Sequence, residues 1–235
     1  MFEDFTKKLA QTVEGIGDAI EENIKSNGEM YDDPLAREIE WLPLKRGGSN
    51  FQTHEYYEAN GVAGFKPTKG NILFAGVFMA IGSIVPLSML ISAVVGGNFN
   101  LGTLIGVGIG IVFFVVGFVM YRYSTKPIVF DKGLGYYYKG KIENSDPAQI
   151  EQLDDSCRLS EIKAIQIISE YVRDSSSSSS DTRSTPYYSY EINLVLADAT
   201  RLNVVDHGKQ RTVFRDADTL SRFLEVPVWK NRRLF

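Results

Sequence analysis

Three rhythms of apolar and polar residues divide this chain. Over residues 1–25 the apolar side chains fall at Phe2, Phe5, Leu9, Val13, Ile16, Ile20 and Ile24. Steps of three and four predict an amphipathic helix. Between residues 70 and 121 the alternation vanishes, because that stretch holds no charged residue at all. It is too long for one membrane crossing, which takes about 20 apolar residues. It breaks at Gly96-Gly97-Asn98-Phe99-Asn100, which predicts two transmembrane helices, 71–95 and 101–121, joined by a tight polar loop. A helical pair buried in a soluble core is the competing reading, and the length rule argues against it.

The remaining sequence has the two-residue rhythm of strands. Residues 26–40 are polar and acidic and read as a linker, with Asp32-Asp33-Pro34 among them. From Trp41 the texture changes. Residues 51–58 and 62–66 read as two strands, with Asn60-Gly61 a strong hairpin turn between them. Beyond the apolar block, 128–131 and 136–139 form a second pair around Lys132-Gly133. Residues 161–172 are rich in β-branched side chains and predict a long central strand. Six consecutive serines within 174–184 predict a mobile loop. Residues 188–196 alternate, with Tyr190, Ile192, Leu194 and Leu196 on one face, and 201–205 return after an Asp198-Ala199 turn. Asp216 reads as the N-cap of a helix over 217–224, which Pro227 ends.

About seven strands and one C-terminal helix, with the helical hairpin inserted after the second strand, make an α+β membrane protein. The antiparallel strands at 41–69 and 126–235 are expected to form one cytoplasmic domain resembling a pleckstrin-homology (PH) barrel. Pro127-Ile128-Val129-Phe130-Asp131, Ile165-Gln166-Ile167, Tyr190-Glu191-Ile192-Asn193-Leu194-Val195-Leu196 and Leu224-Glu225-Val226-Pro227-Val228-Trp229 carry a further likeness. There the chain resembles an uncharacterised family of bacterial two-helix inner-membrane proteins, over roughly residues 40–230. The resemblance implies a fold and a location, and no catalytic residue. The N-terminal amphipathic helix lies outside it.

Charge refines this picture. Residues 1–70 carry 8 basic and 13 acidic side chains, and residues 122–235 carry 17 and 16. Neither balance suits nucleic-acid binding, which needs clustered Lys and Arg. Lys66 and Lys69 precede the first apolar helix, and Arg122, Lys126, Lys132, Lys139 and Lys141 follow the second, while the loop has no cation. The positive-inside tendency then places both termini in the cytoplasm. The opening Met1-Phe2-Glu3-Asp4 lacks the basic start of a cleavable signal, so the first apolar helix is expected to act as the insertion signal. The polar face of 1–25 is dominated by Glu and Asp, which an anionic leaflet repels. Packing on protein, either the chain's own domain or a second copy, is therefore favoured over a membrane surface.

Candidate chemistry is sparse. The chain has two histidines and one cysteine, and neither His54 nor His207 has a second ligand at metal-site spacing. Cys157 follows Asp154-Asp155-Ser156, an acidic setting that raises a thiol pKa, and as the only cysteine it has no disulfide partner in the chain. Gly47-Gly48 and Lys66–Gly70 lack the strand and helix context of a phosphate loop. No Asp, Glu, His, Lys or Arg interrupts the apolar helices, as a transport path would require. Small residues recur instead: Gly102, Gly106, Gly110 and Gly117 in the second helix and Gly76, Ala80 and Ser83 in the first. They predict close packing, within the hairpin before between copies. Pro86 is expected to kink the first helix.

No cofactor, metal or catalytic group is therefore expected. The leading expectation is a membrane-anchored, non-enzymatic interaction or scaffold protein with a protein partner or a second copy of itself. The alternatives are a phospholipid-headgroup binder using Lys66, Lys69, Arg122 and Lys126, and an accessory subunit of a larger membrane complex.

Overall fold

The computed structural model describes residues 27–143, 146–172 and 186–231. The amphipathic stripe of 1–25 and the serine-rich stretch of 174–184 lie outside the described residues. The chain is α+β, with two long apolar helices and antiparallel sheets, and it clusters into two compact units. One is continuous, Gln52–Asp154, and the other combines residues up to Phe51 with those from Asp155 onward. This division cuts across the expected grouping of 41–69 with 126–235.

The sequence of the continuous unit predicts its first turn directly. Asn60 and Gly61 adopt φ of 53° and 79°, the left-handed pair that a two-residue hairpin needs. They join β1 (His54–Ala59) to β2 (Val62–Pro67) and set the register that pairs Glu55 with Lys66. The chain then leaves the sheet. Thr68 caps the helix that follows, its Oγ1 accepting from the Asn71 amide at 3.2 Å and donating to the Gln52 carbonyl at 2.9 Å. α2 (Lys69–Gly96) takes 28 residues, ends at Gly97 in the left-handed conformation, and α3 (Leu101–Ser124) returns over 24. Both are long and apolar enough to cross a membrane. β3 (Ile128–Asp131) then pairs with β2, and β4 (Tyr136–Lys139) with β3, both antiparallel. The helical excursion thus begins and ends on adjacent strands. A short helix, α4 (Pro147–Ile150), follows, and its Ile150 packs with Val129 and Tyr138.

Glycine sets the distance between α2 and α3. A methyl group on Gly110 would overlap the Pro86 ring, and one on Gly82 would strike the Phe114 backbone. At Gly117 a methyl group would lie 2.8 Å from the Ala75 carbonyl oxygen. α2 runs on through Pro86, whose ring fills the space that Gly110 leaves. Gly106 accommodates Met89. Gly102 meets only its own cap residue, Asn100, so it takes no part in this seam.

The other unit is built on a four-stranded sheet. Its strands are β6 (Ile162–Val172), β7 (Tyr187–Leu196), β8 (Arg201–His207) and β9 (Val228–Lys230), preceded by the three-residue β5 (Ser156–Arg158). β6, β7 and β8 are antiparallel, whereas β9 runs parallel to β6. α5 (Gln210–Leu224) packs on β6 and β7. Its N-cap is Lys209, about two turns before the expected Asp216, which is buried within the helix and accepts from Arg215 at 2.9 Å. The apolar stripe in fact begins at Val213 and continues through Ala217, Leu220 and Phe223, so the helical rhythm outweighs the capping preference of one Asp.

The segment expected to be a linker is instead part of this unit's core. Asp33 caps α1 (Pro34–Glu38), with Pro34 at the first helical position. Ala36, Ile39 and Trp41 are buried with Ala164, Ile168, Val195 and Trp229, and Tyr31 stacks on Trp41 at 5.7 Å. From Glu40 to Gly48 the chain crosses the sheet as a strap that side chains read through its main chain. Gln166 donates to the Glu40 carbonyl at 3.0 Å and Arg201 to the Leu42 carbonyl at 2.9 Å. The Glu191 carboxylate accepts the amides of Leu44 at 2.8 Å and Lys45 at 2.5 Å, and Tyr187 donates to the Gly48 carbonyl at 2.9 Å.

Candidate functional site

The continuous unit concentrates cations at one place. The antiparallel register sets Lys139 opposite Ile128, so the end of β4 returns beside the segment that leaves α3. Gly140 follows, buried, its amide donating to the Pro127 carbonyl at 2.9 Å and its Cα against the Leu153 side chain. Lys139 ends β4, and Lys141 lies two residues beyond it. Arg122 and Lys126 occupy the last turn of α3 and the residues just after it. Together these elements enclose a cleft of about 560 Å³, lined by Phe118, Val119, Arg122, Tyr123, Thr125, Lys126, Lys139, Gly140, Lys141 and Leu153.

The volume lies within the range of small-molecule sites. Arg122, Lys126 and Lys141 are exposed, and Lys139 is half-buried. Lys126 Nζ sits 5.6 Å from the Tyr123 ring centroid, a cation–π approach that orients the ammonium without neutralising it. No carboxylate lines the cleft among the described residues. Four cations on two elements, an aromatic ring and an apolar wall can hold an anion by charge-assisted hydrogen bonds.

Of the four cations expected to contact a headgroup, the cleft unites Arg122 and Lys126. Lys66 is elsewhere, paired with Glu55 across β1 and β2 at 3.3 Å, and Lys69 opens α2 without lining the cleft. Lys139 and Lys141 complete it in their stead. They stood out in the sequence only as flanking charge, yet the Lys132-Gly133 turn between two four-residue strands already returns Lys139 to the foot of α3.

The other polar groups have structural surroundings. His54 lies at the start of β1, its Nδ1 3.0 Å from Thr53 Oγ1 and its Nε2 3.3 Å from the Ser124 carbonyl. Burial lowers its pKa to about 4, against the opposing pull of that carbonyl bond. Burial, and then the Glu161 charge, push the Cys157 thiol up to about 12, so it is no nucleophile near neutral pH. Burial also raises the Glu191 carboxyl, although the strap amides and Asn193 favour its charged form. Among the described residues, no three His, Cys, Asp or Glu side chains come together as a metal site.

Comparison with protein-family models and with curated proteins finds no match.

Proposed function

We propose that this is a membrane-anchored, non-enzymatic binding protein whose two apolar helices span a bacterial inner membrane as a hairpin, both termini cytoplasmic, and whose cleft holds an anionic lipid headgroup. The observation that carries the reading is the exposure of the helices. In the most apolar 18-residue window of each, only 17% is buried, leaving Leu73, Ile84, Leu87, Val94, Val112 and Val119 uncovered. A contiguous apolar surface of that extent marks a membrane or partner interface in place of water. At 1.5 Å per residue α3 is about 36 Å long, so a bilayer core of about 30 Å ends near its last turn. That is the level of Arg122 and Tyr123, where headgroups lie.

The strands support a PH-like arrangement: a five-stranded sheet in chain order whose first four strands pair antiparallel, then three more antiparallel strands, then a helix. The parallel β9 is an addition to that plan. A second reading, a scaffold for a protein partner or a larger membrane complex, draws on Tyr171 and Tyr188. They are paired across β6 and β7 at 5.2 Å and exposed, as interface anchors are.

Because Cys157 is buried, the topology test needs a thiol placed for it. In a Cys157→Ser background, Asn98→Cys is expected to react with a membrane-impermeant maleimide in intact spheroplasts, and the protein to resist alkaline extraction. Release by alkali, or protection of position 98 until permeabilisation, refutes the reading. Co-purification of anionic lipid that Arg122→Gln/Lys126→Gln abolishes supports the cleft; a stable protein companion with no lipid supports the scaffold.

A further inference from the structure

We infer that His54 is a proton-linked regulator of the cleft: a proton on its ring and an anion in the cleft each strengthen the hold on the other. The inference rests on the headgroup reading above. His54 Nε2 lies 3.3 Å from the Ser124 carbonyl oxygen. Ser124 stands between Tyr123 and Thr125, both of which line the cleft. The ring thus bonds to the chain one residue from the cleft wall. The backbone beside it is fixed as well. The Gln52 carbonyl accepts from the Thr68 hydroxyl at 2.9 Å, and the Thr53 carbonyl accepts from the Thr68 amide at 2.9 Å and from Asn71 Nδ2 at 3.2 Å. The His54 carbonyl accepts from Gln52 Nε2 at 3.0 Å.

The surroundings of the ring suit both of its charge states. In the neutral ring Nε2–H donates to the Ser124 carbonyl, and Nδ1 accepts from the Thr53 hydroxyl 3.0 Å away. A hydroxyl both donates and accepts, so turning the Thr53 O–H lets the same oxygen accept from a protonated Nδ1. Burial opposes that proton first and the positive charge of Lys139 second, while the Ser124 bond favours it. Lys139 lines the cleft, so an anion held there sets a negative charge beside the cation that opposes the proton. The linkage needs only the Lys139 charge, not an ammonium free of other contacts. Of the other neighbouring elements, β2 sets Pro67 opposite His54, and Glu55 on β1 is paired with Lys66. Lys69 opens α2, and Arg122 and Lys126 stand at the end of α3. Coupling of this kind is reciprocal: whatever the anion does to the proton equilibrium, the proton does to the anion equilibrium.

The test uses the full chain in dodecylmaltoside micelles doped with either phosphatidylcholine or phosphatidylglycerol, and follows the His54 imidazole NMR signal against pH. The midpoint is about 4 without an anion. Phosphatidylglycerol is expected to raise it by about one unit, which is about a tenfold coupling. The lipid should then bind about threefold more tightly at pH 4.5 than at pH 7, whereas His54→Gln should hold it about equally at both. In Arg122→Gln/Lys126→Gln the two micelles should give one midpoint, which separates the cleft from the charge of the micelle surface. A midpoint that phosphatidylglycerol leaves unmoved, while the lipid binds the wild type and not Arg122→Gln/Lys126→Gln, overturns the inference and leaves the headgroup reading standing. An equal rise in the wild type and that variant assigns the shift to the micelle surface and overturns the inference, as does an equal change of affinity with pH in the wild type and His54→Gln. No binding of phosphatidylglycerol by the wild type above phosphatidylcholine overturns both readings.

Discussion

The His54 imidazole couples the stability of the continuous unit to pH. Its Nε2–H donates to the Ser124 carbonyl at the end of α3, and its Nδ1 accepts from the Thr53 hydroxyl. Both contacts suit the neutral ring, and burial lowers its pKa from the ordinary 6.5 to about 4. In the unfolded chain the same ring takes up a proton near 6.5. Between the two values the unfolded state binds more protons, so stability is full above pH 6.5 and is lost as the pH falls towards 4. The 2.5-unit gap corresponds to about 3 kcal/mol at most, at 1.36 kcal/mol per unit. His54→Gln keeps a donor and an acceptor but cannot titrate. Unfolding by SDS in dodecylmaltoside micelles at pH 7 and pH 4.5 should show the wild type losing more stability than the variant, by about 2–3 kcal/mol. With only two histidines in the chain, the variant also assigns the His54 NMR signal, which should titrate near 4. An imidazole midpoint near 6.5, or identical losses in both proteins, refutes the reasoning.

Two further outcomes are expected. Gly110→Leu puts a side chain into the Pro86 ring and should lower the same SDS midpoint by about 1–3 kcal/mol, the usual cost of overpacking. Gly108→Leu, where a side chain meets open space, should leave it unchanged. Glu191→Ala strips the acceptor from the Leu44 and Lys45 amides and from Asn193, and each orphaned donor costs about 1–3 kcal/mol. Limited trypsinolysis after Lys45 or Arg46 should accelerate in that variant, and an unchanged rate would show that Gln166, Arg201, Tyr187 and Trp41 hold the strap without Glu191.

What was legible in the sequence is local. Every strand of four or more residues and both apolar helices announce themselves by period or by unbroken hydropathy, and their observed ends lie within a few residues of the expected ones. Pairing is legible where a turn determines it. Asn60-Gly61 joins Ala59 to Val62, and counting outward brings Glu55 to Lys66, with which it forms an ion pair at 3.3 Å. The start of α5 was hidden because a good N-capping residue lies in the middle of its stripe. β5 and β9 have three residues each, too few for a period to show. Half the cleft came from counting cations near an apolar helix, and the other half needed the β3–β4 register. The strap was illegible for a different reason: its partners are remote, with Leu44 147 residues from Glu191 and Leu42 159 from Arg201.

That remoteness has a consequence for how the protein is made. Translation runs from the N-terminus at about 5–20 residues per second, so roughly 7–30 s separate the emergence of Leu44 from that of Glu191. In that interval the whole continuous unit, Gln52–Asp154, leaves the ribosome. Trp41, Leu42 and Leu44 meanwhile have no complete sheet to lie on, because β8 and the rest of β7 do not yet exist. The nascent chain therefore carries an aromatic and aliphatic segment that awaits its docking surface until β7 and β8 emerge.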